Sequence, residues 1–385
     1  MIDMLDIELS TLCNASCPSC ARYIMNSKVV GEYLKKTYIN IDTFKEWFPP
    51  EILNQVKFLK FCGNHGDPCT NPDIIKIIEY VSEFNIERFQ LNTNGGMKTP
   101  KFWKDFSNAC NLLKTPNSTI IFSIDGLEDT NHIYRRDVNW KRLIENIKSF
   151  KSNCTSNSVY MNWEFLVFKH NQHQIEDAKI LSNQLGFDNI HFKRPINLDD
   201  GTNITPISVL DENGKNVNWL YPSTLDEYKP NYLKQDAKVV YNEKILHKQV
   251  GWFSDELSQE DLNYINTFSD VDINPKCGEN GLYVESHGDV YQCCFVANNI
   301  YTKKHHYLEG KYVSINFKQQ FDAISKIGFD KFNLNTNTLT NIIEDKLLYS
   351  VYNESWNKTF KDGKILQCAI NCGNENCYDT LFVKK

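Results

Sequence analysis

Short runs of β-branched and aromatic residues alternate with stretches of helical period through the first half of the chain, the pattern of repeated βα units around a parallel sheet. The runs predict strands at Met4 to Thr11, Val56 to Cys62, Arg88 to Thr93, Thr119 to Asp125, Val159 to Phe168 and Asn189 to Arg194. Helical spacing falls between them, over Thr43 to Val56 (interrupted by Pro49 and Pro50), Pro72 to Glu83, Pro100 to Leu113, Trp140 to Ser152 and Gln174 to Leu185. Each stretch is long enough to cross back over a sheet. From Gly201 to about Asn274 the rhythm stops, and DENGK between ISVL and VNWLY reads as a hairpin turn. Beyond it, GLYVESHGDVYQCCF predicts two short strands about Gly288, followed by helices at Lys318 to Ile327 and Leu339 to Trp356. The expected plan is an α/β barrel-like domain over 1–200, a connector over 201–274 and a smaller α+β domain over 275–385.

Composition narrows the function classes. The 385 residues are 41% hydrophobic and 13% aromatic, enough for one large core or two ordinary ones. Forty-eight acidic against 42 basic residues give a net charge of −6 with no basic block, which argues against an electrostatic nucleic-acid or membrane-surface binder. A small neutral or polar substrate fits better. The opening MIDMLDIELST lacks the basic and apolar regions of an export signal, and no run approaches the roughly 18 consecutive apolar residues of a membrane span. The expected location is the cytoplasm. Thirteen cysteines, an odd number without an export signal, then point to metal or redox chemistry rather than disulfides.

Cys13, Cys17 and Cys20 follow the first strand in ELSTLCNASCPSCARY, where three thiolates can hold three corners of a four-iron cluster and leave the fourth iron without a protein ligand. A zinc site would want a fourth residue nearby, and no histidine lies between Cys13 and Cys20. CNASCPSC in this place resembles the CxxxCxxC signature of the radical S-adenosylmethionine superfamily, and the resemblance extends over most of the chain. It implies a partial (β/α)6 TIM-like barrel carrying a [4Fe-4S] cluster whose open iron chelates S-adenosylmethionine. The implied chemistry is one-electron cleavage to a 5′-deoxyadenosyl radical and hydrogen-atom abstraction, with electrons from a donor such as flavodoxin or ferredoxin. One departure is Ser19, where the family usually carries an aromatic residue that packs on the adenine; Tyr23 is a nearby substitute.

The same resemblance assigns supporting positions. FCGNHGDPCTNPDI resembles the family's GGEP element, so Gly66 and Asp67 take the place of the groups that receive the ammonium of S-adenosylmethionine. Asn92 and Asn94 in LNTNGG, and Ser123 and Asp125 in FSIDG, fall where the family bonds the ribose or methionine part. In HIYRRDVNW, Arg135, with Arg136 beside it, is placed to meet the carboxylate. Polar residues at the carboxyl ends of parallel strands converge on one mouth. His65, Lys193 and Arg194 are expected there too, for substrate contact or proton transfer.

In the last third, Cys277, ten residues, Gly288, four residues and Cys293 resemble the opening of SPASM and Twitch domains, which carry auxiliary iron–sulfur clusters. The closing CAINCGNENC offers Cys368, Cys372 and Cys377 for the remaining two ligand places, too sparse a tail for a full SPASM array. A single auxiliary [4Fe-4S] cluster of Twitch type follows, with an open coordination site or a four-cysteine zinc knot as alternatives. Cys294 reads as a packed thiol, and Cys62, Cys69, Cys110 and Cys154 as inert core residues. The expected reaction is oxidation or cross-linking of a peptide or protein side chain. Dehydrogenation or epimerisation of a small alcohol, sugar or amino compound is the alternative, and a non-catalytic iron–sulfur redox protein is the rival from another class. Because the first strand begins almost at residue 1, no leader-peptide-recognition domain is expected before the barrel, which weakens the ribosomal-peptide reading.

Overall fold

The structure, a computed structural model, describes residues 1–195, 206–228, 271–308, 315–359 and 362–373. They form two compact units, residues 7–241 and residues 1–6 with 242–385. β1 (Ile2–Ile7) ends where the chain passes from one unit to the other.

In the first unit, β2 (Val56–Phe61), β3 (Arg88–Thr93), β4 (Asn117–Ser123), β5 (Val159–Leu166) and β6 (Asn189–Lys193) run parallel in sequence order. With β1 these are the strands the pattern predicts, and the architecture is α/β, a partial TIM-like barrel with a smaller carboxyl-terminal α+β part. The crossovers are α1 (Ile41–Trp47) with α2 (Pro50–Leu53), α3 (Ile74–Val81), α4 (Pro100–Cys110), α5 (Asn131–Tyr134) with α6 (Trp140–Asn153), and α7 (Ile175–Leu185). The Pro49–Pro50 pair separates α1 from α2, because a proline inside a helix removes a hydrogen bond and clashes with the preceding turn.

The alternation along each strand separates two faces. Phe89, Leu91, Ile120, Phe122, Trp163 and Phe165 are buried. Phe122 meets Trp103 of α4 and Phe150 of α6 at ring distances of 5.4 and 5.9 Å, an aromatic core between sheet and helices. The alternate positions, among them Lys60, Gln90, Asn92, Ser123, Asn162 and Glu164, are polar and only half-buried. An ordinary barrel interior is filled with branched apolar residues, so this inner face is built for polar contents.

The expected hairpin forms as β7 (Ile207–Leu210) and β8 (Asn216–Leu220), antiparallel, with Gly214 at φ +77° in the turn. Ile207, Val209 and Leu220 close over Phe168 in a small core of their own. In the second unit, β9 (Gly281–Val284) pairs antiparallel with β10 (Val290–Tyr291) about Gly288, and β1 neighbours β9. The helix expected over Leu339 to Trp356 is three pieces instead, Leu339–Glu344, Leu347–Val351 and Asn353–Trp356. Lys346 at φ +53° interrupts the first join. Cys294–Leu308 and Leu366–Cys372 are helices the pattern did not announce. No described helix is long and apolar enough to cross a membrane.

Candidate active site and second cysteine centre

Cys13, Cys17 and Cys20 line one cavity of about 260 Å³ together with groups from the carboxyl ends of β2, β3 and β4. The loop that carries them is pinned through its backbone. Tyr23 Oη donates to the Ala15 carbonyl at 2.8 Å, Ser16 N–H donates to Arg136 O at 3.0 Å, and Arg136 Nε returns a bond to Ser16 O at 2.6 Å. The Arg136 guanidinium also donates to Leu210 O at 3.0 Å and Ser27 O at 2.9 Å. Arg136 is therefore committed to holding the loop, and Tyr23 is occupied likewise. Ser19 sits at φ +65°, with its N–H on Asn26 Oδ1 at 3.1 Å. A bulky residue is disfavoured there, which gives a physical reason for the missing aromatic.

Glu8, wholly buried, accepts the backbone N–H groups of Asn64 at 2.8 Å, His65 at 3.2 Å and Gly66 at 2.9 Å, which shapes the turn after β2. A Cβ on Gly66 would stand 2.0 Å from the Ser10 carbonyl oxygen, so only glycine lets the turn lie against the segment leading to Cys13. Next to it Asp67 is buried, and its carboxylate accepts Cys69 N–H at 3.0 Å, Thr93 Oγ1 at 3.0 Å, Asn94 N–H at 2.7 Å and Asn94 Nδ2 at 2.8 Å. Those four donors use the acceptor directions of a carboxylate. Burial pushes the Asp67 carboxyl up, and these bonds oppose it. The geometry makes Asp67 a brace between the turn and the end of β3, on the wall of the same cavity.

Asn94 carries that brace to the thiols. Its Nδ2 reaches Asn14 Oδ1 at 2.9 Å and Cys13 Sγ at 3.6 Å, and its Oδ1 accepts Gly96 N–H at 2.9 Å. Asn92 lines the cavity while accepting from Gln90 Nε2 at 2.7 Å, and Ser123 lines it from the end of β4. Asp125 is fully buried, taking Leu166 N–H at 2.7 Å on one oxygen and Arg135 Nε at 2.5 Å on the other. Arg135 Nη1 lies 3.7 Å from Cys17 Sγ. Burial works against the Arg135 charge, but Asp125 and Cys17 more than restore it, so it stays a cation beside the sulfur. Burial pushes all three thiols up, Cys20 to about 11, so they ionise only with a cation at hand.

His65 is buried and lines the cavity. Its carbonyl accepts from Arg22 Nη1 at 3.0 Å. Lys193 and Arg194 are not among the residues lining it, and Lys193 Nζ is ion-paired to Glu164 Oε1 at 2.5 Å on the inner face of β5 and β6. Cys62, read as inert, lines the cavity beside the three loop cysteines; its place just past the end of β2 is the signal that marks it. Glu8, Arg22 and Thr93 carry no motif, and only the assembled turn shows their use.

A second cysteine centre forms in the other unit. Cys277, Cys293, Cys368 and Cys372 line one small cavity together with Trp356. The β9–β10 hairpin brings Cys277 and Cys293 together, and the helix Leu366–Cys372 presents the other two at a four-residue spacing, on one helical face. Burial pushes the Cys293 and Cys368 thiols up, and the neighbouring cysteines push further. Cys377 lies outside the described residues.

No protein-family model matches the chain, and no curated protein matches it. Among solved structures, hexahistidine-tagged anSMEcpe with bound AdoMet matches with a TM-score of 0.52 over 99% of this chain and 87% of that one, at 15% identity. The chain shares its fold with that protein. Native anSMEcpe with bound AdoMet and Cp18Cys peptide (TM-score 0.48, 16% identity, 98% and 90% covered) is a looser match. So is SuiB of Streptococcus suis bound to precursor peptide SuiA (TM-score 0.47, 14% identity, 95% and 70% covered). Neither adds to the assignment of fold.

Proposed function

We propose that the chain is a radical S-adenosylmethionine enzyme. Cys13, Cys17 and Cys20 hold a [4Fe-4S] cluster, and Cys277, Cys293, Cys368 and Cys372 hold an auxiliary iron–sulfur cluster. The observation that carries this reading is the convergence of three cysteines of one loop with the polar carboxyl ends of β2, β3 and β4 on one 260 Å³ cavity. The donor sets fit, since buried thiols with raised pKa values await a cation, and the first set leaves a fourth ligand place for a small molecule. The AdoMet bound to the structural neighbour supports the same ligand here. When bound, the cluster and S-adenosylmethionine supply a 5′-deoxyadenosyl radical that removes a hydrogen atom from substrate, after one electron arrives from a flavodoxin- or ferredoxin-type donor.

The residues divide that work. Arg136, Tyr23 and Asn26 fix the loop backbone, and Asn94 and Arg135 direct N–H groups at the Cys13 and Cys17 sulfurs. Asn92, Ser123 and His65 remain on the cavity wall for the nucleoside, the amino acid part or the substrate. The polar inner face, with the Glu164–Lys193 pair, favours a polar substrate, and a peptide or protein side chain undergoing oxidation or cross-linking is the reading we adopt. Anaerobic reconstitution with iron and sulfide analysis and EPR tests it. We expect about eight irons per chain, falling to about four in the Cys13/Cys17/Cys20→Ala variant, and 5′-deoxyadenosine from the reduced parent protein alone. Zinc in place of iron in the loop site, or no 5′-deoxyadenosine with any candidate substrate, would overturn it.

A further inference from the structure

Tyr352 is the join between the short helices Leu347–Val351 and Asn353–Trp356, and Trp356 closes the second of them, four residues on. Tyr352 is wholly buried, and its hydroxyl has no hydrogen-bond partner among the described residues. The indole Nε1–H of Trp356 is buried on the wall of the cavity that the four cysteines line, where it meets no oxygen or nitrogen acceptor among the described residues and reaches the Cys368 thiol. Buried tyrosine and tryptophan normally find a partner, and leaving such a donor unmet costs about 1–3 kcal/mol. Two buried donors without a strong acceptor among the described residues, one on the wall of the cysteine cavity and the other electrostatically coupled to two of its cysteines, suit an acceptor richer in charge than a thiol. Protonated thiols are weak acceptors. Metal-bound thiolates and sulfides carry negative charge and accept readily. A bond from Trp356 lowers the Cys368 thiol against its burial, and Cys368 and Cys293 act electrostatically on the Tyr352 hydroxyl, whose burial is the larger influence.

We propose that Trp356 and Tyr352 donate hydrogen bonds to the sulfurs of the iron–sulfur group held by Cys277, Cys293, Cys368 and Cys372, and thereby raise its reduction potential. Donors at the sulfurs stabilise the more negative, reduced state, which is how the surroundings of such a group set its potential. The two are positioning residues, acting on the group through its ligands. The proposal rests on the reading of these four cysteines as an iron–sulfur site.

The test uses the full chain in the Cys13/Cys17/Cys20→Ala background, so that only the second centre contributes iron. Trp356→Phe, Tyr352→Phe and the double variant keep the packing and remove the donors. Iron content is read first, then a redox titration followed by EPR. The expected result is unchanged iron with a lowered midpoint, the double variant holding about tenfold less of the reduced form at a fixed potential, equivalent to 59 mV for one electron. Iron retained with an unmoved midpoint overturns the proposal and leaves the site reading intact. A background protein that binds zinc and no iron overturns both. Should a variant lose its iron through misfolding, pulsed EPR on the reduced background protein carrying 15N-indole tryptophan decides: a 15N coupling is expected, and its absence overturns the role of Trp356.

Discussion

At the residue scale the cysteine spacing was legible because it is local, whereas the groups that make the spacing useful are distant in sequence. Asp67 shows the difference. Its place in GDP suggested a ligand-facing carboxylate, but the fold surrounds it with donors from Cys69, Thr93 and Asn94. Asp67→Ala strands those donors in a buried site and is expected to cost about 3 kcal/mol of stability, read by denaturant unfolding of the apo protein. Were Asp67 a ligand group only, apo stability would not move. Ser19 gives a second test. Ser19→Gly relieves a left-handed backbone and should be neutral or slightly stabilising, whereas Ser19→Phe should cost about 1–2 kcal/mol. Equal stabilities of the two variants would show that the loop does not hold that conformation.

At the element scale the strands were readable from period and the helix ends less so. The fragmentation between Leu339 and Trp356 depends on one left-handed residue, Lys346, whose side chain gives no warning of it. The turn after β2 is an element defined by close approach. Gly66→Ala drives a methyl group into the Ser10 carbonyl and, on the proposed function, is expected to weaken S-adenosylmethionine binding about tenfold, measured by calorimetry on reconstituted protein. The hairpin β7–β8 carries a pH signature through its contact with the segment that follows β5. His170 stacks on Phe168, a core residue of the hairpin, at 5.3 Å, and burial, helped by His173 and His132, pulls its pKa down from 6.5 to about 4. The unfolded chain therefore takes up a proton that the folded one refuses. Stability from this source is complete above pH 6.5 and falls by roughly 3 kcal/mol as the pH drops toward 4. His170→Gln should flatten that part of the stability profile.

At the scale of the whole molecule, the two cysteine centres fall in the two compact units, residues 7–241 and residues 1–6 with 242–385. The gathering of Cys368 and Cys372 with Cys277 and Cys293 was not legible, because it depends on the helix Leu366–Cys372, which places those two tail cysteines on one face, while Cys377 lies outside the described residues. If the second centre takes a metal group, ligand binding is part of its folding free energy. Reconstituted protein should then show a thermal transition that a chelator lowers by several degrees, and Cys368→Ser should lower it comparably. A transition indifferent to chelator would place the four thiols outside any metal site.

The carbonyl groups gathered by Arg136, from Ser16, Asn26, Ser27 and Leu210, have a consequence in time. The loop bearing Cys13, Cys17 and Cys20 leaves the ribosome near the start of synthesis, but the guanidinium that fixes it is residue 136, and that guanidinium is itself held at Leu210. At roughly 5–20 residues per second, some 10–40 s separate the appearance of the thiols from the arrival of the last of these partners. During that interval the three thiols are present on a chain whose loop has its local tethers at Tyr23 and Asn26 but not those of Arg136. If the loop takes an iron–sulfur cluster, as proposed, iron offered to the nascent chain before about 210 residues have been made meets a loop without its Arg136 and Leu210 tethers, and productive loading belongs after that point.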